Sequence, residues 1–305
     1  MSQTTNSAEG EPEVPVVLGV YEKGMPGTLS IDEKLVEAGR AGFDYMELSI
    51  DESDEKLSRL EWGTEEIRDF LESQWKAGVP VPSMCLSGHR RFPLGHPDMS
   101  VQKRSLEIMR RAIRLSARLG IRLIQVAGYD VYYEPSTAQS RKTFARNLRL
   151  SVEMAAREGV ILAFETMETE FLNTVEKALF WVETINSPYL QIYPDLGNIT
   201  NAALSRGTDV LADLESGCGH LVALHLKESN PGIFREVPYG GGHVAFPSAI
   251  AVALRLGVRM FVGEFWHNGE QDWRGVMRKN CLFLRSALEQ GAALVPRNGG
   301  TRDDL

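Results

Sequence analysis

The sequence has 305 residues, of which 43% are apolar and 24% charged, as is usual for a globular protein. The formal net charge of −8 argues against nucleic acid as a partner, because a phosphate backbone requires a basic protein face. No apolar run approaches the ~20 residues of a membrane-spanning helix, so we expect no membrane partner. Three widely spaced cysteines predict neither a disulfide framework nor a CxxC metal clip, which favours a cytoplasmic location.

Apolar, β-branched runs alternate along the chain with segments of helical periodicity. A polar, acidic leader (1–14) precedes them, and we expect it to be disordered rather than a signal peptide. Strands are predicted over 16–21, 45–50, 82–87, 122–128, 161–166, 190–195, 221–227 and 260–265. Helices are predicted over 31–42, 64–78, 100–119, 139–158, 173–186, 209–216, 246–257 and 272–290.

Eight strands that alternate with eight helices predict an α/β fold that closes as a (β/α)₈ TIM barrel. We expect a single domain over 15–292 and a flexible tail over 293–305. A doubly wound open sheet is the rival architecture. It would usually place a glycine-rich phosphate motif after the first strand, whereas this chain has YEKGMPG there.

One candidate ligand lies near the carboxyl end of each of the last four strands: Glu165, Asp195, His225 and Glu264. Active sites of parallel barrels lie at this end of the strands. Each residue alone would more often be a helix cap, an ion-pair partner or a hydrogen-bonded core residue. Their coincidence on four consecutive strands favours a metal site, and three carboxylates with one imidazole suit Mn²⁺, Mg²⁺, Co²⁺ or Zn²⁺.

The same arrangement predicts acid–base chemistry. Glu165 and Glu264 belong to strands three steps apart in a ring of eight, or roughly 135° around the barrel axis. They would flank a bound molecule from nearly opposite sides. One glutamate could remove a proton from a carbon acidified by a metal ion, and the other could return it to the opposite face. Two catalytic bases on opposite faces predict epimerisation.

Further candidates are predicted to bind the substrate from the same face. His89, Arg90 and Arg91 follow the third strand and could hold a phosphate, although a solvated basic turn is an equal alternative. Lys227 shares the strand face of His225, where it could bind a substrate oxygen or form an ion pair with Glu47 or Asp195.

Glu22, Glu47 and Trp266 have strand-end positions suited to lining the pocket. Trp266 could equally be a packing residue. The three consecutive glycines 240–242 could form a backbone nest for an anion, although such a glycine turn is a weak signal.

Six stretches closely resemble the L-ribulose-5-phosphate 3-epimerases, which are xylose-isomerase-like TIM barrels. These stretches are GVYEK (19–23), SIDESDEKLSRLEW (49–62), VPSMCLSGHRRFPLG (81–95), AGYDVYY (127–133), YPDLGN (193–198) and the segment around His225. The resemblance covers about residues 15 to 290. It implies interconversion of L-ribulose 5-phosphate and L-xylulose 5-phosphate in pentose or ascorbate catabolism.

The metal-binding carboxylates and histidine of this family match Glu165, Asp195, His225 and Glu264. Two positions in the expected substrate shell depart from relatives. Asn198 stands where epimerases of free sugars commonly have histidine, and Arg235 stands near a lysine of other relatives. We expect both to bind the substrate, a ketose phosphate, and we expect the protein to be a homo-oligomer.

Other activities fit the same fold. A free-ketose 3-epimerase or an aldose–ketose isomerase would use the same metal site, and analysis of the products would separate them from a sugar-phosphate epimerase. A metallo-phosphodiesterase would need more histidines near the barrel centre than this chain offers. A sugar-sensing barrel without catalysis would need no stoichiometric metal.

Overall fold

A computed structural model describes residues 15–296 of the chain. The predicted leader and most of the predicted tail lie outside the described residues. Within them, eight parallel strands form one sheet: β1 Val17–Tyr21, β2 Tyr45–Ile50, β3 Ser83–Leu86, β4 Leu123–Ala127, β5 Ile161–Glu165, β6 Leu190–Ile192, β7 Leu224–Leu226 and β8 Met260–Gly263. All eight predicted strands are therefore present, with somewhat shorter bounds.

The sheet curls into a barrel. Each strand from β1 to β5 pairs with the next one along the chain, β7 pairs with β8, and β8 pairs with β1. Two isolated bridges, Ile192–Leu221 and Asp195–His225, join the chain segments at β6 and β7 and complete the circle. The predicted (β/α)₈ TIM barrel is confirmed, and the open doubly wound sheet is excluded.

Ten α-helices surround the described sheet: α1 Ile31–Ala41, α2 Asp54–Ser58, α3 Thr64–Ala77, α4 Met99–Leu119, α5 Ala138–Glu158, α6 Val175–Ile185, α7 Leu196–Arg206, α8 Val210–Ser216, α9 Phe246–Arg255 and α10 Trp273–Leu294. The eight predicted helices are present. Helices α2 and α7 were not predicted, and both lie in connections at the carboxyl end of the strands. Helix α10 extends to Leu294, so the predicted tail begins two residues too early.

Local sequence explains where these helices begin and end. Ser30 precedes α1 and accepts a hydrogen bond from the Glu33 amide, while the Glu33 side chain accepts one from the Ser30 amide. This reciprocal capping box satisfies two amides that a helix start otherwise leaves free. Gly42 ends α1 with φ of 98°, a left-handed conformation that glycine adopts without a steric penalty.

Two apolar layers hold the barrel together. The larger cluster lies between the outer face of the sheet and the helices. The smaller one fills the barrel centre and includes Tyr45, whose hydroxyl donates to the Phe261 carbonyl at 2.9 Å. Gly19 makes room for this ring, because a Cβ there would lie 2.3 Å from Tyr45 Cε2. The barrel is thus a packed core with a site only at one end.

A buried ionic cluster secures the connection after β1. Glu22 is fully buried and accepts hydrogen bonds from Lys34, Lys56 and Arg59 at 2.6–2.9 Å, as well as from the Ser49 amide. Burial alone would raise the Glu22 pKa, but these three cations hold it well below its usual value. The cluster ties β1, α1 and the α2 segment together beside the catalytic face.

Among the described helices, none is both long enough and apolar enough to cross a membrane.

Candidate active site

The four predicted ligand residues lie together at the carboxyl end of the barrel. Glu165, Asp195, His225 and Glu264 are all buried, and one donor atom from each lies within 4.8 Å of the others. Glu165 is the last residue of β5, His225 is the middle residue of β7, and Glu264 directly follows β8. The sequence therefore predicted their proximity correctly, while their role as metal ligands remains a proposal.

Asp195 reaches the cluster from a helix start rather than from a strand. Strand β6 ends at Ile192, and Asp195 is the N-cap of α7. Its Oδ1 accepts hydrogen bonds from the Asn198 amide at 2.7 Å and from Lys227 Nζ at 2.9 Å. Its Oδ2 is buried and has no hydrogen-bond partner within the part of the chain that the structure describes. That oxygen is free to bind a ligand in the cluster.

His225 is held between the cluster and a carboxylate behind it. Its Nδ1 lies 3.1 Å from Glu264 Oε2, and its Nε2 lies 2.7 Å from Glu47 Oε1. The second oxygen of Glu47 accepts from Ser83 Oγ at 2.7 Å and from the Tyr193 hydroxyl at 3.0 Å. Burial opposes a charge on His225, but Glu47 and Glu264 raise its pKa well above the usual value.

Glu47 is fully buried at this position and is not among the residues that line the cavity, so it lies behind His225 rather than on the cavity wall as expected. A carboxylate that accepts a hydrogen bond from the distal ring nitrogen of a histidine fixes the tautomer and the orientation of the ring. Here that leaves Nδ1 of His225 facing the cluster.

The carboxylates of the cluster repel one another. Burial, followed by the nearby Glu264 carboxylate, raises the pKa of Glu165 to about 8. Burial likewise raises the pKa of Asp195 to about 7, although Lys227 opposes this shift. Glu264 differs, because Lys227 and His225 outweigh its burial and lower its pKa. Burial and repulsion by Glu264 thus raise the pKa of two of the three carboxylates, and a bound cation would offset that repulsion.

This donor set fits a divalent cation. Three buried carboxylates and one imidazole nitrogen are oxygen-rich ligands of the kind that Mn²⁺, Mg²⁺ and Co²⁺ bind well, and Zn²⁺ also binds such groups. The free Oδ2 of Asp195 and the mutual repulsion of the carboxylates both favour a bound cation. Glu165, Asp195, His225 and Glu264 would hold it.

A narrow cavity opens above the cluster. Seven of the predicted substrate-binding or catalytic residues line it, together with residues that were not predicted. The lining consists of Tyr21, Lys23, Cys85, Ser87, Arg90, Glu165, Met167, Glu168, Asn198, Lys227, Arg235, Glu264 and Trp266. Both predicted proton carriers, Glu165 and Glu264, are therefore accessible from the cavity.

Lys227 and Asn198 connect the cavity wall to the cluster. Lys227 is buried, with Nζ at 2.9 Å from Asp195 Oδ1, at 3.6 Å from Glu264 Oε2 and at 2.9 Å from Asn198 Oδ1. The ion pair with Asp195 that the sequence left open is present, whereas the alternative pair with Glu47 is not found. Asn198 also donates to the Thr166 carbonyl at 2.7 Å, which fixes its amide.

Two members of the predicted basic loop lie outside the cavity. His89 is buried beneath α4, where its Nε2 lies 3.1 Å from the Ser105 carbonyl oxygen. Burial lowers its pKa to about 4, so the ring is neutral at pH 7 and donates to that carbonyl. Arg91 is half exposed and pairs with Asp54 at 2.8 Å. Neither residue is among those that line the cavity. Only Arg90 reaches the cavity.

The backbone amides around the glycine turn at 240–242 bind a carboxylate of the protein itself. The buried Glu228 carboxylate accepts from the amides of Gly240 at 3.1 Å and Val244 at 3.2 Å. A Cβ at Gly242 would lie 2.3 Å from Glu228 Oε1, so glycine is required for this close approach. The predicted anion nest is therefore filled by Glu228.

Three connections meet at the mouth of the cavity. Tyr132, after β4, donates its hydroxyl proton to Glu168, after β5, at 2.8 Å. Arg235, after β7, lies 3.6 Å from the same Glu168 oxygen and stacks over the Trp266 ring at 5.6 Å. Tyr132 and Glu168 were missed by the sequence analysis, although Glu168 follows Glu165 by only three residues at a strand end.

Comparisons with known proteins agree with this geometry. A family model described as "Xylose isomerase-like TIM barrel" matches residues 35–287. The L-ribulose-5-phosphate 3-epimerase UlaE of Shigella flexneri is 40% identical over 274 residues, which are 90% of this chain and 95% of that protein. The protein of the same name from Escherichia coli O139:H28 is 43% identical over 258 residues, or 84% of this chain and 89% of that protein.

Solved structures show the same fold at lower identity. An L-ribulose 3-epimerase structure superposes with a TM-score of 0.73 at 19% identity and covers 94% of this chain and all of that chain. A D-tagatose 3-epimerase-like protein gives a TM-score of 0.74 at 18% identity, with 91% of this chain and 98% of that chain covered. The resemblance read from the sequence is confirmed. The chain belongs to the L-ribulose-5-phosphate 3-epimerase family of the xylose isomerase-like TIM barrels, and it is an isomerase of the carbohydrate-epimerase class.

Proposed function

We propose that the protein is a metal-dependent sugar-phosphate 3-epimerase that interconverts L-ribulose 5-phosphate and L-xylulose 5-phosphate. The observation that carries this proposal is the buried cluster of Glu165, Asp195, His225 and Glu264 beneath a narrow cavity. The names of the relatives, which are 40–43% identical, support the choice of substrate.

The reaction breaks the C3–H bond of the ketose and forms it again on the opposite face. A divalent ion bound at the cluster would supply Lewis-acid polarisation of the C2 carbonyl and the C3 hydroxyl. Glu165 and Glu264 line the cavity from β5 and β8, which are three strands apart. One carboxylate takes the C3 proton, the electron pair moves into an enediolate, and the other carboxylic acid returns a proton to C3.

Other cavity residues would orient the substrate. Lys227 and Asn198 form a hydrogen-bonded pair beside the cluster and can donate to the oxygens near C2 and C3. Arg235 and Trp266 form the upper wall, where the guanidinium stacks on the indole and can donate to a substrate oxygen.

The test is turnover by purified protein in D₂O, followed by NMR. We expect L-ribulose 5-phosphate to equilibrate with L-xylulose 5-phosphate and to gain deuterium at C3. Chelation should stop both processes, and added Mn²⁺ or Co²⁺ should restore them. Full activity in metal-free protein would contradict the proposal. A panel of free ketoses and aldoses would reveal a free-ketose epimerase or an aldose–ketose isomerase by its products.

The cellular setting follows from the same proposal. All three cysteines are free, which is consistent with a reducing cytoplasm and with a role in pentose or ascorbate catabolism. The expected homo-oligomer remains a prediction that light scattering after size-exclusion chromatography would test. A single species with the mass of one chain, 33.9 kDa, would contradict it.

A further inference from the structure

Four cationic side chains line the cavity of the described chain: Lys23, Arg90, Lys227 and Arg235. A phosphorylated substrate must approach a protein of net charge −8 and a cluster of three carboxylates. Its phosphate therefore needs a cation whose hydrogen-bond donors are not already used by the protein. The four cations differ in this respect.

Three of them lie within 4 Å of a carboxylate in or near the site. Lys227 contacts Asp195 in the ligand cluster. The other two are Lys23, which lies 2.5 Å from Asp51, and Arg235, which lies 3.6 Å from Glu168 and has a side chain that is 42% exposed, so that water screens its charge.

Arg90 is different. Its Nε is buried and has no hydrogen-bond partner among the residues that the structure describes. Its closest carboxylate, Glu52, is 3.9 Å from Nη1, and its guanidinium stacks over the Tyr132 ring at 4.6 Å. The side chain is about four-fifths buried, which limits screening by water. A buried guanidinium with a free donor is suited to an anionic oxygen.

The position of Arg90 fits one end of the substrate. Arg90 follows β3, across the barrel from β7, while the ligand residues belong to the β5–β8 half. Ser87 lines the cavity on the same side, three residues before Arg90. A ketopentose with C2 and C3 at the cluster carries its C5 group two carbons further away. The opposite wall is where that group would lie.

We infer that Arg90, with Ser87 beside it, binds the C5 phosphate of the substrate and is the main determinant of the preference for phosphorylated sugars. This inference rests on the proposed function. Arg235, already paired with Glu168, serves the sugar hydroxyls instead, so its loss affects phosphorylated and free sugars alike.

The test compares Arg90→Met with the matched control Arg91→Met. Arg91 is the next residue in the same loop but lies outside the cavity, paired with Asp54. For wild-type protein, kcat/KM is measured with L-ribulose 5-phosphate and with L-ribulose. We expect Arg90→Met to lower the ratio of the two values about 10- to 150-fold, which corresponds to one lost charge-assisted hydrogen bond or bidentate pair. Arg91→Met should keep the wild-type ratio.

Binding of inorganic phosphate provides a second readout that needs no turnover. Competitive inhibition or calorimetry should show that wild type and Arg91→Met bind phosphate, and that Arg90→Met does not. Arg90→Lys keeps the charge without the guanidinium fork and should lie between them. Equal circular dichroism and melting temperature would show that the variants are folded.

The outcomes separate the two claims. If wild type does not convert L-ribulose 5-phosphate but binds phosphate through Arg90, the proposed substrate is wrong and the phosphate site stands. If wild type converts it and Arg90→Met keeps the wild-type ratio, the phosphate site is wrong and the proposed function stands. The inference would also be overturned if Arg235→Met lowered the ratio of the two kcat/KM values while Arg90→Met left it unchanged.

Discussion

The imidazole of His225 shows how one residue is prepared for its role. Glu47, Ser83 and Tyr193 form a hydrogen-bonded chain behind it, all within the barrel centre. Glu47 does not touch the cavity, so it acts through His225 rather than on the substrate. The Glu47 carboxylate is a positioning group that keeps Nδ1 aimed at the ligand cluster.

Replacing this group should weaken metal binding. In Glu47→Gln, the amide can offer either an oxygen or an NH₂ group to Nε2, so the ring tautomer is no longer fixed. Loss of such a partner typically costs 10–100-fold in metal affinity. Calorimetric titration of metal-free protein with Mn²⁺ measures this directly. Tyr193→Phe, which removes one hydrogen bond to Glu47, should have a smaller effect. Unchanged affinity in Glu47→Gln would contradict the positioning role.

Three adjacent residues show the limit of sequence reasoning at this scale. His89, Arg90 and Arg91 were predicted as one basic loop, but they lie in three environments: a buried pocket, the cavity and the surface. A short 3₁₀ turn at Gly88–Arg90 sends successive side chains in different directions. The sequence shows that the charges are present, whereas their directions depend on this turn and on the packing of α4.

The buried neutral His89 predicts a pH dependence of stability. Its pKa falls from about 6.5 to about 4 on folding, so between these values the unfolded chain binds a proton that the folded chain does not. The free energy of unfolding should therefore decrease as the pH falls from 6.5 to 4, by roughly 3 kcal/mol from this group. Urea denaturation across this range should show a shallower decrease in His89→Gln. If the free energy of unfolding fell equally with pH in wild type and in His89→Gln, a buried neutral His89 would be contradicted.

At the scale of secondary-structure elements, α7 is the instructive case. The run LQIYPD was predicted as one strand up to Asp195, but β6 stops at Ile192 and Asp195 caps a helix that was not predicted. The sequence did contain a signal for α7, because aspartate is a favourable N-cap for a helix. The apolar run before Asp195, together with the expectation of a ligand at a strand end, instead favoured a strand that continued to Asp195. Asp195 in fact combines both roles, a helix cap through Oδ1 and a candidate ligand through Oδ2.

These two roles can be separated by substitution. Asparagine caps a helix about as well as aspartate, so Asp195→Asn should keep α7 but lose the ligand charge. We expect metal content to fall below one equivalent after dialysis. The free energy of unfolding of metal-free protein should stay within roughly 1 kcal/mol of wild type, since burial already disfavours the Asp195 anion. Asp195→Ala, which also removes the cap, should lose ~1 kcal/mol more. Stoichiometric metal in Asp195→Asn would show that this carboxylate is not a ligand.

At the scale of the whole molecule, strand order was the most predictable feature. Eight apolar runs that alternate with helical segments were enough to predict the barrel and the end at which the ligand residues meet. The mouth of the cavity was less predictable. Tyr132, Glu168 and Arg235 belong to three connections that meet only when the barrel closes. Neither the hydrophobic periodicity of the sequence nor the spacing of its elements predicts such contacts between loops.

The arrangement of charge also belongs to this scale. The chain is acidic overall, and three carboxylates crowd the cluster, yet four cations line the same cavity. Lys227 lies within the cluster, whereas Arg90 lies across the barrel from it. The site proposed for a divalent cation and the site proposed for an anion thus lie on opposite sides of the barrel, as an extended sugar phosphate requires.

The central claim is that Glu165 and Glu264 carry the C3 proton on opposite faces of the sugar. The most direct measurement is the rate of epimerisation of L-ribulose 5-phosphate in D₂O by Glu165→Gln and Glu264→Gln, with C3 deuterium followed by NMR and metal content determined on the same samples. Each substitution should slow inversion by ~10²–10⁴-fold even when the metal is supplied in excess, and one variant should still exchange the C3 proton without inversion. If both variants epimerise at close to the wild-type rate, the two-carboxylate account is wrong.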